Sequence, residues 1–207
     1  MLVLIAASGL IALGAVVAFL AFGTGGGDDE GGGTSGVEQT MRDAGFTFRS
    51  YPGMKNNSNH TDVPTIQSKV NWNSNPPTSG PHYQQWAVWN FYDSPVPLTM
   101  STHNLEHGGI VIHYGPDVPQ AEVEKLRQFY ADDPNAMLVV PLQSAGNKII
   151  LSAWYYDESR SEESNYFGEG KQATGTRVDA DAFAAFRDAF RYKGRERIPA
   201  ENLQPGM

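Results

Sequence analysis

All five histidines of the 207-residue chain fall between His60 and His113. Two stand four apart in His103-Asn104-Leu105-Glu106-His107-Gly108-Gly109. Imidazole is the commonest metal-ligating side chain. A spacing of four puts two rings on the same face of one helical turn, where both nitrogens can reach one ion. The chain has no cysteine. A transition metal held here is therefore bound mainly by nitrogen, helped by oxygen or thioether.

Other residues extend the chemistry. His82 ends a Pro-Pro-Thr-Ser-Gly-Pro-His run from Pro76, in which proline restricts the backbone and Gly80 permits a tight turn. His60, in Asn-Ser-Asn-His-Thr, carries less signal of its own. His113 alternates with Ile110 and Ile112, so on a strand it faces the opposite side, towards solvent or towards the site. Glu106 is expected to accept a hydrogen bond from a ligating imidazole, fixing its tautomer and raising its basicity. Met100 and Met54 precede histidines by a few residues, and soft sulfur beside imidazole favours copper over zinc.

A competing reading comes from the same residues. His103-x-x-Glu106-His107 matches the inverted zinc-peptidase pattern, in which the histidines bind zinc and the glutamate activates water. Gly108-Gly109 and the β-branched run after it would end the helix that this pattern requires. No later helix offers a matching acidic ligand. The chain has no Gly-x-x-x-x-Gly-Lys phosphate loop and no Gly-x-Ser-x-Gly elbow.

The elements that must position these residues are unevenly signalled. Residues 1–22 carry no charge, a length that suits a bilayer core. They read as a transmembrane anchor, with a cleaved signal as the alternative. Residues 23–36 are glycine-rich and acidic and read as a flexible tether. They hold no Lys or Arg, which leans towards the external side of a single-pass membrane protein. Residues 37–207 suit one extracytoplasmic globular domain. A formal net charge of −8 argues against nucleic acid as a partner.

Within the domain, 37–102 is a long irregular segment rich in Pro, Asn, Ser and Gly, with short strands expected at Ser68–Trp72 and Trp86–Tyr92. Ser101–His107 suggests one or two helical turns. Gly109–Tyr114 reads as a strand and Pro119–Ala131 as a helix with Val123, Leu126 and Tyr130 on one face. Ala136–Leu142 and Lys148–Tyr155 read as a hairpin around a 143–147 turn. Asp179–Tyr192 reads as a helix capped by Asp179, with a stripe of Phe183, Phe186 and Phe190. The expected class is a compact single α+β domain: a mixed or antiparallel sheet with two packed helices and a long irregular N-terminal segment, preceded by one transmembrane helix.

Pro76–Tyr83 and His103–Gly109 together resemble the signature of a prokaryotic domain of unknown function, family 3105, over about Phe46 to Ile198. The resemblance implies an N-terminal membrane segment with an external domain. It also implies four recurrent histidines, His60, His82, His103 and His107; Met100 and His113 are not carried over by it. Four imidazoles suffice for a closed metal site. The resulting expectation is a membrane-tethered extracytoplasmic metal-binding protein, with the reading leaning away from an enzyme without deciding it. Its ligands are those four histidines, with Met100 or His113 as additions and copper preferred over zinc. The alternatives are a non-metal interaction module with an aromatic loop surface, and the zinc hydrolase.

Overall fold

A five-stranded sheet in the order β1-β5-β4-β2-β3 separates two apolar layers. The computed structural model describes residues 32–57 and 59–207. The elements, in chain order, are α1 (Gly32–Asp43), β1 (Thr47–Pro52), α2 (Leu98–Glu106), β2 (Ile110–Tyr114), α3 (Gln120–Asp132), β3 (Met137–Pro141), β4 (Ile149–Tyr155), β5 (Glu169–Gly175) and α4 (Ala180–Phe190). The apolar run 1–22 lies outside the described residues. No described helix is long and apolar enough to cross a membrane.

The sheet is mixed. β2 pairs in parallel with β3, and every other neighbour pair is antiparallel. A parallel pair needs a crossover, and α3 supplies it. Helices α1, α3 and α4 cover one face, burying Met41, Leu126, Phe183, Phe186 and Phe190 against Ile110, Ile112, Val139 and Leu151. Asp179 caps α4 as expected, its Oδ1 accepting from Ala182 N at 3.0 Å. On α3 the buried stripe is Val123, Leu126 and Phe129, with Tyr130 packed at its edge.

The opposite face carries Val111, Leu138, Val140 and Trp154, covered by Leu105 of α2, Ala87 and Trp89 of the irregular segment, and Leu203 near the C-terminus. The histidines lie on this side. Helix α2 is a full element of nine residues, longer than the one or two turns expected. Its signal was faint because seven of its residues are buried and most of those are polar. They are satisfied by specific partners instead of an oily stripe: Thr99 Oγ1 donates to Ile66 O at 2.9 Å, and Asn104 exchanges two bonds with Ala87 at 2.8 and 2.9 Å.

Several expectations need correction. The described residues hold four α-helices, not two. Helix α1 begins at Gly32, inside the stretch read as a tether. The hairpin does not form, because β2 lies between β3 and β4. The connecting turn passes over the end of β2, where a Cβ on Gly115 would stand only 1.9 Å from Gly146 O. Ser68–Trp72 and Trp86–Tyr92 are not strands; only Phe91 makes an isolated bridge, to Val139. Trp89 is instead plugged into the core, its backbone paired with the tail at Gly206 and Met207. Strands β1 and β5 carried no apolar alternation. Gly170 leaves room for Thr78, and Lys171 is buried on Glu169 and Ser50.

Candidate metal centre

His103 and Glu106 are three apart near the C-terminal end of α2, and that spacing puts both on one flank of the helix. His107 is the C-cap residue, with φ −74° and ψ 4°. Gly108 follows at φ 79°, a left-handed residue that closes the helix by donating to Leu105 O at 3.0 Å.

His82 is delivered by the proline loop. Gly80 takes φ 107°, and any Cβ there would stand 2.9 Å from Met54 Cβ. Ser79 Oγ accepts from Met54 N at 3.1 Å, and Trp72 Nε1 donates to Pro81 O at 3.1 Å. Tyr83 N donates to Thr99 O, which ties the loop to α2. His60 arrives on a turn in the left-handed region, at φ 54°, with its N–H bonded to Asn57 O at 2.8 Å. A non-glycine residue held there stores strain, a common property of residues that serve a site.

These two loops and α2 converge. The rings of His60, His82 and His103 are mutually packed at 4.6–4.9 Å between centroids. His60 Nε2 and His82 Nε2 are 3.1 Å apart, and Glu106 Oε2 is 3.0 Å from His82 Nε2 and 4.0 Å from His60 Nε2. One ligand atom from each of His60, His82, His103 and Glu106 lies within 4.8 Å of the others. Atoms bound tetrahedrally to one ion at ~2.1 Å stand about 3.4 Å from each other, so little movement would be needed.

The outer nitrogens fix the tautomers. His82 Nδ1 is 2.8 Å from Gly80 O, and His103 Nδ1 is 2.9 Å from Tyr83 O. Carbonyl oxygens only accept, so each Nδ1 carries a proton and Nε2 is the nitrogen each ring turns inward. The role expected of Glu106, accepting from a ligand's far nitrogen, thus belongs to two backbone carbonyls. Glu106 stands on the Nε2 side itself. Its other oxygen accepts from Asn56 Nδ2 at 2.8 Å and lies 3.7 Å from Arg195.

His107 does not join this group. Its Nε2 is 3.0 Å from Glu196 Oε2, and His103, His107 and Glu196 make a second convergent set that shares His103 with the first. Trp86 lies edge-on over His107 and His103, at 5.0 and 5.6 Å between centroids. A cleft of about 450 Å³, lined by Trp86, His103, His107 and Glu196, opens this side to solvent.

The two possible additions lie elsewhere. His113 is buried in β2, and neither ring nitrogen has a protein partner. It faces the Val111 side of the sheet but is not among the clustered ligands. Met100 packs with the apolar layer around Leu105 and Trp154. The Met54 sulfur accepts from Asn73 N at 3.3 Å. Glu196, Arg195 and Asn56 gave no signal in the sequence, since nothing in their spacing links them to α2.

The surroundings favour the neutral form of His103, His60 and His107. Burial, then the neighbouring His82 and His107, pushes His103 down to about 3. Burial and His82 also lower His60, against the pull of Glu106 and Glu196. Burial lowers His107 as well, although Glu196 and Glu106 oppose it. Burial alone would raise Glu106, but its bonds to His82 and Asn56 hold it below the usual carboxylate range. A carboxylate held ionised beside imidazoles pushed towards the neutral form suits a bound cation.

No curated protein and no solved structure matches the chain. A family model does, over residues 65–203. That span starts later and ends later than the resemblance suggested, so it contains His82, His103, Glu106, His107 and Glu196 but stops short of His60. Matching well over half of the sequence, it shows that the chain belongs to the family described as protein of unknown function, DUF3105.

Proposed function

We propose that this protein is a membrane-tethered, extracytoplasmic metal-binding protein whose ion sits among His60, His82, His103 and Glu106. The observation that carries the reading is the convergence of ligand atoms from three separate stretches of chain, all within 4.8 Å of one another. The Nε2 atoms of His60 and His82 are 3.1 Å apart, and the Glu106 carboxylate is 3.0 Å from His82 Nε2. A single cation between these atoms would hold all of them at once. Three nitrogens and one oxygen suit Cu(II) or Zn(II). The thioether argument for Cu(I) loses its support with Met54 and Met100 engaged elsewhere. Copper keeps its preference through the divalent affinity order alone. The tether and the external location rest on the uncharged run 1–22 and the acidic glycine-rich stretch after it.

One observation favours a second reading, the zinc hydrolase. His103, His107 and Glu196 would supply the two histidines and the carboxylate of such a site. Against it, Glu106, the residue needed to activate water, is committed to His82 and Asn56. The interaction-module reading is weakened because Trp89 and Phe91 of the aromatic segment are buried.

Elemental analysis of the full chain, purified without chelators and reloaded with Cu(II) or Zn(II), tests the proposal. The expected result is one ion per chain, lost in His82→Ala and in His103→Ala. A wild-type chain that stays metal-free at micromolar Cu(II) and Zn(II) overturns it. Hydrolysis of a peptide that requires both zinc and Glu106 would favour the second reading.

A further inference from the structure

The two ligand groups compete for a single atom. His103 belongs to both, yet its Nδ1 is held by Tyr83 O at 2.9 Å, so one Nε2 lone pair must serve either group. Two ions cannot be bound at full coordination together. The groups also differ in access. The side chains of His82 and Glu106 are 0% and 8% exposed and that of His60 19%, whereas the Glu196 side chain is 54% exposed. The 450 Å³ cleft reaches all of His103, His107 and Glu196, whereas of the remaining inner ligands it touches His60 but not His82 or Glu106. A smaller cleft of about 200 Å³ reaches His60 and Glu106 between Arg195 and Glu196, and His82 lines neither cleft.

From this arrangement we infer that His103, His107 and Glu196 form an outer loading position, from which the ion passes to the inner group by pivoting on His103. This rests on the inner metal site proposed above. The His107–Glu196 pair is already spaced for one ion, with Nε2 and Oε2 3.0 Å apart. As the ion moves inward, its bonds to His107 and Glu196 break and bonds to His60, His82 and Glu106 form. The bond to His103 persists. The proton that His107 Nε2 shares with Glu196 leaves to solvent when the ion first binds, and returns when it departs. No oxidation state changes.

The pivot lowers the cost of handing over an ion because the metal is never stripped of all protein ligands. It also explains why the two sets adjoin across one helical turn, His103 to His107, instead of lying on separate elements. Glu196 is brought there by the backbone: Glu196 N donates to Glu106 O at 2.9 Å, and Tyr192 N donates to Gly108 O at 2.7 Å.

The test is stopped-flow loading of the full metal-free chain with Cu(II), beside equilibrium titration with a competing chelator. For His107→Ala, the expected result is one ion per chain and an affinity within about threefold of wild type, with loading slowed about tenfold. Glu196→Gln should behave the same way. His82→Ala should instead lose affinity by about 100-fold or more. Simple steering by the Glu196 charge predicts slowing in Glu196→Gln alone, removed by salt, with His107→Ala loading normally; that result overturns the inference. So does a wild-type stoichiometry of two ions, or a loss of affinity in His107→Ala as large as in His82→Ala. A wild-type chain that binds no metal defeats the underlying site itself, and stoichiometry reveals that before any rate is measured.

Discussion

Gly194 lies backbone to backbone on Gly108: a Cβ added to Gly194 would stand 2.1 Å from Gly108 N and 2.3 Å from Glu106 O. Gly108 is equally closed, with Gly194 N at 2.7 Å from its own imagined Cβ. Two glycines 86 positions apart in number (108 and 194) thus allow the C-terminal segment to touch the end of α2. The contact places Arg195 and Glu196 over the histidines.

Replacing Gly194 by alanine should force that segment off α2. The neighbours it would meet are backbone atoms, which cannot swing aside. The expected cost is roughly 1–3 kcal/mol, as for overpacking elsewhere. It should be visible as a lower urea midpoint. The metal site should suffer as well, through displaced Glu196 and Arg195. An alanine variant with an unchanged midpoint would show that the contact is looser than described.

Asn104 joins the irregular segment to α2 through two bonds with Ala87, and it is fully buried. Asn104→Ala leaves an N–H and a carbonyl of Ala87 without partners. A loss of about 2–4 kcal/mol follows, from two buried unsatisfied groups. Trp86, the residue beside Ala87, should become mobile over His103 and His107. Denaturant unfolding measures the first effect, and tryptophan fluorescence anisotropy measures the second. Equal stability of the variant and wild type would refute the clamp.

His113 and His103 both have native values pushed down to about 3 from an ordinary 6.5, burial being the first cause in each. Between those values the unfolded chain binds protons that the native state does not. Stability of the metal-free protein is therefore fully present above pH 6.5 and is lost as pH falls towards 3. Each such group contributes a slope of about 1.4 kcal/mol per pH unit in that window. His113→Leu should make the acid limb shallower by about one such slope. Stability at neutral pH should hold or rise, because two unpartnered buried nitrogens are removed. An acid limb as steep as wild type would mean that His113 does not stay neutral.

The sequence by itself determined the parts whose information is local. The β-branched run of β2, the phenylalanine stripe of α4 with its Asp179 cap, and the proline start of α3 follow from periodicity and capping chemistry. The pairing of His103 with a neighbour on one flank of α2 was legible for the same reason. Tertiary structure alone decided which neighbour. Spacing treats Glu106 and His107 alike, since i+3 and i+4 both adjoin i. The three remote loops select between them: His60 and His82 meet Glu106, while Glu196 claims His107. The same holds for β5, where Gly170 meets Thr78 and buried Lys171 meets Ser50 and Glu169, partners that a period-two pattern cannot name. Contacts between residues distant in sequence depend on backbone approaches such as Gly108 on Gly194. Those are fixed by how the layers stack, and no short stretch of chain encodes them.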